Sequence, residues 1–177
     1  MRELQSQLHL RDYTAKSVMR SRLVDVLVPF ALDIDSFLAH FRETGVVMTG
    51  SPSVEICLGT NFHSDRLTIQ LLFHKHKAQK FMHYLTSFQG YTPSETTYTN
   101  PSDPCSILVQ RFVNHDIGKG VDVIESATSN PITPSLKFVC TCKATFISSS
   151  WYCIGYSQWF RDRVAVMFAK RSTPLAV

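Results

Sequence analysis

The sequence has no apolar run of the roughly 18 to 20 residues that a membrane span requires, and its N-terminal stretch lacks the apolar block of a secretory signal. It has only seven glycines and no long polar run, which excludes collagen-like and disordered classes. Its five cysteines are odd in number and include no CxxC pair, which argues against a disulfide framework or a zinc ribbon. We therefore expect a globular, intracellular protein of the cytoplasm or nucleus, with no membrane partner and with reduced, mostly buried thiols.

What is present fits one domain. Apolar residues make up 44% of the 177 residues and charged residues 18%, enough for a single sizeable core. We expect one domain over residues 1–177, with its core at about 17–156. The formal charge of +4 permits an anionic partner without requiring one, so nucleic acid stays among the alternatives. The densest basic cluster is interpreted as a solvated helix face: His74, Lys75, His76, Lys77 and Lys80.

The first half of the chain alternates helical and strand patterns. Residues 16–43 carry two helix signatures, and GVVMTGSPSVEICL predicts a strand, a tight turn and a helix. In RLTIQLLF, alternation places Leu67, Ile69 and Leu71 in the core, and Arg66, Thr68 and Gln70 on the opposite, cleft-facing side. KHKAQKFMHYLTSFQGY then predicts a helix with Phe88 among its apolar positions.

The second half gives less regular signals. Thr92 to Pro104 is rich in Thr, Ser, Pro and Asn, which predicts a mobile loop. SILVQRFVN and GKGVDVIES predict an antiparallel hairpin, PSLKFVCTCKATFI a helix, and the stretch from Trp151 a frayed tail. We therefore predict an α+β (mixed α/β) fold, with a central mixed sheet of about four to five strands covered by helices. A doubly wound parallel sheet is the weaker alternative.

Three segments together resemble the nucleotidyltransferase superfamily, over roughly Ser17 to Tyr156. They are ALDIDSFLAHFRETGVVMTGSPSVEICL, HSDRLTIQLLFHKHKAQKFMHYLTSFQGYT and GKGVDVIESATSNPITPSLKFVCTC. The chain is most similar to a group of fungal nucleotidyltransferase-like proteins. The resemblance implies a Gly-Ser turn after the first strand, two carboxylates at i and i+2 on the next strand, and a third on a neighbouring strand. In such enzymes these carboxylates hold the Mg²⁺ that orients the nucleotide phosphates.

This chain departs from that pattern at the carboxylate pair. Arg66 and Thr68 stand at the two paired positions, while Asp122 matches the third carboxylate and Asp65 lies beside the pair. Asp65 and Asp122 are therefore the catalytic candidates, and Asp122 alone is a weak metal ligand. We expect no cofactor, and Mg²⁺ only if the protein is active.

The residues that remain suit a phosphate. The Gly50–Ser51 turn, Arg66, Thr68 and Lys119 could bind an anion without metal, because cations and free N–H groups favour anions. The competing interpretation makes Arg66 a surface arginine that pairs with Asp122.

We predict a degenerate nucleotidyltransferase-fold protein without catalysis, acting as a nucleotide- or phosphate-binding or interaction module. One alternative is an active metal-dependent nucleotidyltransferase that recruits Asp65, Glu55 or Asp122. The other is a domain that only binds a protein partner, through the C-terminal aromatics Trp151, Tyr152, Trp159 and Phe160.

Overall fold

The computed structural model describes residues 17–59, 68–98, 107–133, 144–155, 158 and 162. Within these residues the helices are α1 (17–27), a 3₁₀ turn (Val28–Phe30), α2 (Ile34–Thr44), α3 (Ser51–Leu58) and α4 (Ala78–Phe88). The strands are β1 (Val47–Thr49), β2 (Thr68–Phe73), β3 (Thr92–Tyr98), β4 (Ile107–Asn114), β5 (Lys119–Ser126), β6 (Thr145–Ile147) and β7 (Tyr152–Ile154). None of the helices in these ranges is long and apolar enough to cross a membrane.

The strands form one mixed sheet in the order β3-β4-β5-β2-β1-β6-β7. Only β2 and β5 pair in parallel, and the other neighbours are antiparallel. The mixed α+β class is therefore confirmed, as are the strand, turn and helix around Gly50 and the β4–β5 hairpin. The prediction of four to five strands was wrong, because the sheet has seven.

One additional strand lies in the predicted loop. Thr92–Tyr98 pairs antiparallel with β4 at the edge of the sheet, and residues 99–104 lie outside the described part of the chain. Residues 92–97 are all exposed and none of them is a large apolar residue. The strand therefore has no apolar alternation from which the sequence could predict it. Pro93 is tolerated because an edge strand needs only one row of hydrogen bonds, and the register shifts between Pro93 and Glu95.

The other two additional strands lie where a helix and a frayed tail were predicted. Residues Thr145–Ile147 of the predicted helix form β6, and residues 134–143 lie outside the described chain. All three residues of β6 are buried, and a short apolar run carries no period that separates strand from helix. β7 pairs with β6 and leaves Cys153 exposed, while Cys57 is half-buried, which corrects the expectation of buried thiols at these two positions.

The principal core lies between the sheet and the helices. Ile69 and Leu71 are fully buried there, as the alternation predicts, while Thr68 and Gln70 on the opposite side are partly exposed. Leu67 and Arg66 lie outside the described residues. Phe37 of α2 packs edge-on against Phe81 of α4, with ring centroids 5.6 Å apart.

Two predictions about the region of α4 were wrong. Phe88, predicted to be apolar core, is 71% exposed on the last turn of the helix. His74 to Lys77 do not lie on a helix face but in the connection before α4. There the Glu125 carboxylate accepts the amides of His76 and Ala78, at 2.9 and 3.3 Å, and so fixes where the helix begins.

The opposite face of the sheet, called here the second face, carries Thr68 and Asp122 of the predicted site. A smaller apolar cluster covers part of it, formed by Val47, Leu72, Ile124 and Phe146. The polar residues between these apolar ones therefore share that face, because side chains alternate along each strand.

Candidate functional site

A row of polar side chains crosses the second face, called here the cross-strand row. Strand register places Glu95 opposite Arg111, Arg111 opposite Asp122, Asp122 beside Gln70, and Gln70 opposite Thr49. Residues that are directly opposite point to the same side of a sheet and interact. The row thus runs across five strands, β3, β4, β5, β2 and β1, with Asp122 and Thr49 buried within it.

The centre of the row is a two-point ion pair. Arg111 Nε donates to Asp122 Oδ1 at 2.7 Å, and Nη2 donates to Oδ2 at 3.1 Å. The Asp122 side chain is 6% exposed, whereas that of Arg111 is 47% exposed. The hydrogen bond and the charge of Asp122 raise the pKa of Arg111, so the guanidinium stays charged at any ordinary pH. Both oxygens that a metal would need already accept hydrogen bonds from arginine.

The positions of the expected carboxylate pair add no acid to this face. Thr68 lies opposite Gly120 at the start of β2, and Gln70 beside Asp122 carries an amide. Arg66 and Asp65 lie outside the described residues. Among the residues that are described, no group of three His, Cys, Asp or Glu side chains could hold a metal ion.

The Gly50 turn meets the row at β1. Gly50 has φ 86° and ψ −163°, a conformation nearly restricted to glycine, and α3 begins at the next residue. A Cβ at Gly50 would lie 3.3 Å from Gln70 Oε1, so the turn packs against the row. The Gly50 carbonyl accepts the amides of Ser53 and Val54 at 3.1 and 3.3 Å, and Pro52 has no N–H. The turn therefore offers a ligand mainly the amide and hydroxyl of the exposed Ser51.

The structure separates Lys119 from this group. Its Nζ lies 5.9 Å from the centre of the Phe30 ring, and Phe30 belongs to the core on the helix-covered face. Lys119 and Asp122 are three residues apart along β5, so their side chains lie on opposite faces of the sheet, and that of Asp122 is on the second face. Glu55 is buried within α3. The described structure thus brings Gly50, Thr68 and Asp122 to one face, whereas Lys119 lies on the other.

Sequence reasoning missed Arg111 and Glu95. The register of the β4–β5 hairpin identifies Arg111. Asn114 pairs with Lys119 next to the turn, and three residues away from the turn on each strand Arg111 lies opposite Asp122. The expected partner of Asp122 was Arg66, and Arg111 fills that role. Glu95 carried no signal, since its strand has no apolar pattern.

The candidate aromatic contacts lie at the other end of the sheet. Trp151 is 43% exposed and Tyr152 is 54% exposed, next to and within the edge strand β7. Trp159 and Phe160 lie outside the described residues.

Neither a family model nor a curated protein matches this chain. The likeness to nucleotidyltransferases therefore rests on the three sequence segments that resemble them.

Proposed function

We propose that this chain is a non-catalytic domain with a degenerate nucleotidyltransferase fold that binds a nucleotide or another phosphate ligand without a catalytic metal. The supporting observation is the Arg111–Asp122 pair, in which both carboxylate oxygens accept hydrogen bonds from one guanidinium. The proposal assigns the ligand to the Gly50–Ser51 turn, Thr68 and Arg66.

The ion pair argues against metal-dependent catalysis. Binding Mg²⁺ at Asp122 would place the metal beside the guanidinium that now pairs with this carboxylate. Two cations 4 Å apart repel each other by about 1 kcal/mol in water and by more in a sheltered cleft. Thr68 supplies a hydroxyl, and Arg66 a cation, at the two positions where the nucleotidyltransferase pattern would place carboxylate ligands.

Phosphate binding depends on the edge of the row rather than its centre. The centre of the row has two carboxylates, Glu95 and Asp122, and one guanidinium, Arg111. Its net negative charge disfavours an anion there. At the start of α3 the positive end of the helix dipole favours an anion, and the exposed Ser51 lies there beside the row. Arg66 precedes Thr68 by two positions, and the proposal gives it the cationic role.

A thermal-shift screen tests the proposal. Nucleoside triphosphates should stabilise the protein equally with and without Mg²⁺ or Mn²⁺, and a ligand at a hundredfold excess over its dissociation constant adds about 2.7 kcal/mol. Thr68→Val removes the hydroxyl at nearly constant volume and should weaken the effect. Thr86→Val on α4 is the matched control, because its hydroxyl bonds only to carbonyls of its own helix at 3.2 and 3.1 Å in the described structure. Stabilisation that requires a divalent ion would instead favour the active enzyme.

A protein-interaction role is the second candidate, and the exposed Trp151 and Tyr152 favour it. Large aromatic side chains are enriched at the centres of interfaces. If no nucleotide stabilises the protein, Trp151→Ser with Tyr152→Ser should abolish binding to a partner recovered by cross-linking, while the fold stays intact. Retained binding by this double variant would remove the candidate.

A further inference from the structure

A cavity separate from the cross-strand row opens between the start of α2 and the end of α4. Its volume is about 470 Å³, and it is widely open to solvent. Seven residues line it: Ala31, Asp33, Ser36, His40, Tyr84, Phe88 and Gln89. The polar groups among them include one carboxylate, two hydroxyls, an imidazole and an amide.

Phe88 is the exposed aromatic residue of the cavity lining. Phe88 is 71% exposed, whereas Phe81 and Leu85 of the same helix are fully buried. The ring lines the cavity and makes an edge-on contact with His83, with centroids 6.2 Å apart. Ligand pockets are lined mainly by apolar and aromatic side chains, and Phe88 gives this cavity an accessible aromatic surface.

The other walls are held in place by hydrogen bonds and stacking. The His40 ring stacks on Tyr84 with centroids 4.1 Å apart, and its Nδ1–H donates to the Ser36 carbonyl at 2.9 Å. Gln89 Oε1 accepts the Asp33 amide at 2.7 Å, which joins the two sides of the cavity. A site whose side chains are fixed before binding loses less entropy when a ligand arrives.

The charge of the cavity favours a cation. Asp33 is the one acidic residue among the seven that line it, and none of these seven is Lys or Arg. α4 has no basic residue in its last turn, so the negative end of its dipole is not neutralised by its own side chains. The start of α2 opposes this effect, but Asp33 caps it by accepting the Ser36 amide at 3.1 Å. A phosphate is therefore disfavoured here, which separates this cavity from the proposed nucleotide site.

We propose that this cavity binds an organic ammonium cation, held between the Asp33 carboxylate and the face of the Phe88 ring. A carboxylate supplies the opposite charge, and an aromatic face attracts a cation through its quadrupole. The apolar substituents of the ammonium group fill the space beside Ala31 and Phe88. This inference does not depend on the proposed nucleotide function.

Isothermal titration of the full chain with choline tests the proposal, with 3,3-dimethylbutan-1-ol as a neutral molecule of the same shape. Choline should bind and the neutral alcohol should not. Phe88→Ala should weaken choline binding about 2- to 30-fold, and Phe88→Trp should preserve or strengthen it. Asp33→Asn should also weaken binding while it keeps the helix cap, because Asn caps as well as Asp. Asp35→Asn is the matched control, since Asp35 is an exposed acid of the same helical turn outside the cavity lining.

Three results would overturn the proposal. They are equal binding of choline and the neutral alcohol, unchanged choline affinity in folded Phe88→Ala, and no choline binding at millimolar concentrations. Titration with the amide of N-acetyl-trimethyllysine identifies the source of the cation. Tighter binding of this probe than of choline assigns the site to a protein side chain, and the reverse order assigns it to a free small molecule.

Discussion

Arg111 and Asp122 face each other across β4 and β5 and form two hydrogen bonds, from Nε to Oδ1 at 2.7 Å and from Nη2 to Oδ2 at 3.1 Å. The carboxylate is nearly buried and the guanidinium is half-exposed. The pair therefore engages both oxygens of Asp122 and satisfies a buried charge.

Arg111→Ala should destabilise the protein by about 1 to 3 kcal/mol, because it leaves the buried carboxylate of Asp122 without its partner. Urea unfolding would measure the loss. The Arg111→Ala/Asp122→Asn double variant should lose less than the sum of the two single variants, because the second change removes the unpaired charge. Strictly additive losses would show that the pair contributes no coupling.

Gly50→Ala should destabilise the protein more than Gly118→Ala, by at least about 1 kcal/mol. Both glycines have positive φ, at 86° and 64°. Gly50, however, has ψ −163° and a Cβ there would approach Gln70 Oε1 at 3.3 Å, whereas no atom lies within 4 Å of a Cβ at Gly118 in the described structure. Thermal unfolding of the two variants gives the comparison, and equal midpoints would contradict the strained turn.

Tyr84 should contribute to loss of stability at alkaline pH. Burial raises its pKa to about 12 from an ordinary 10.0, so the phenol ionises more readily in the unfolded chain. The stabilisation is fully present below pH 10 and is lost as the pH rises toward 12, since the folded state then binds more protons than the unfolded state. Tyr84→Phe should flatten this part of the curve of unfolding free energy against pH. An unchanged curve would show that the phenol is not protected by burial.

Wild-type protein should transfer no labelled nucleotide with Mg²⁺, and a metal site should require three changes. Arg66→Asp and Thr68→Asp restore the expected carboxylate pair, and Arg111→Ala releases Asp122. Titration with Mn²⁺ should show higher affinity in the triple variant than in the Arg66→Asp/Thr68→Asp double variant. A folded triple variant without metal affinity would count against the nucleotidyltransferase assignment, and transfer by the wild type that Asp122→Asn abolishes would refute the inactive interpretation.

The sequence predicted the parts of the site that depend on the alternation of apolar residues along one strand. It did not predict the parts that depend on which strands pair and in which register. Ile69 and Leu71 fix the faces of β2 by their spacing, so the second face and its residues Thr68 and Gln70 followed from sequence. The partner of Asp122 did not, because two arginines were available and only the hairpin register selects Arg111. Glu95 could not be placed, since the polar strand that carries it looks like a loop.

The sequence by itself determined the local elements: the helix signatures before β1, the glycine turn before α3, and the apolar periods of β2 and α4. These depend on neighbours a few residues apart, and local sterics and hydrogen bonds settle them. The tertiary structure alone decided the seven-strand order, the exposure of Phe88, and the placement of Lys119 away from Asp122. Each of these depends on which distant strand or helix packs alongside, and backbone hydrogen bonding at a sheet edge is available to almost any sequence.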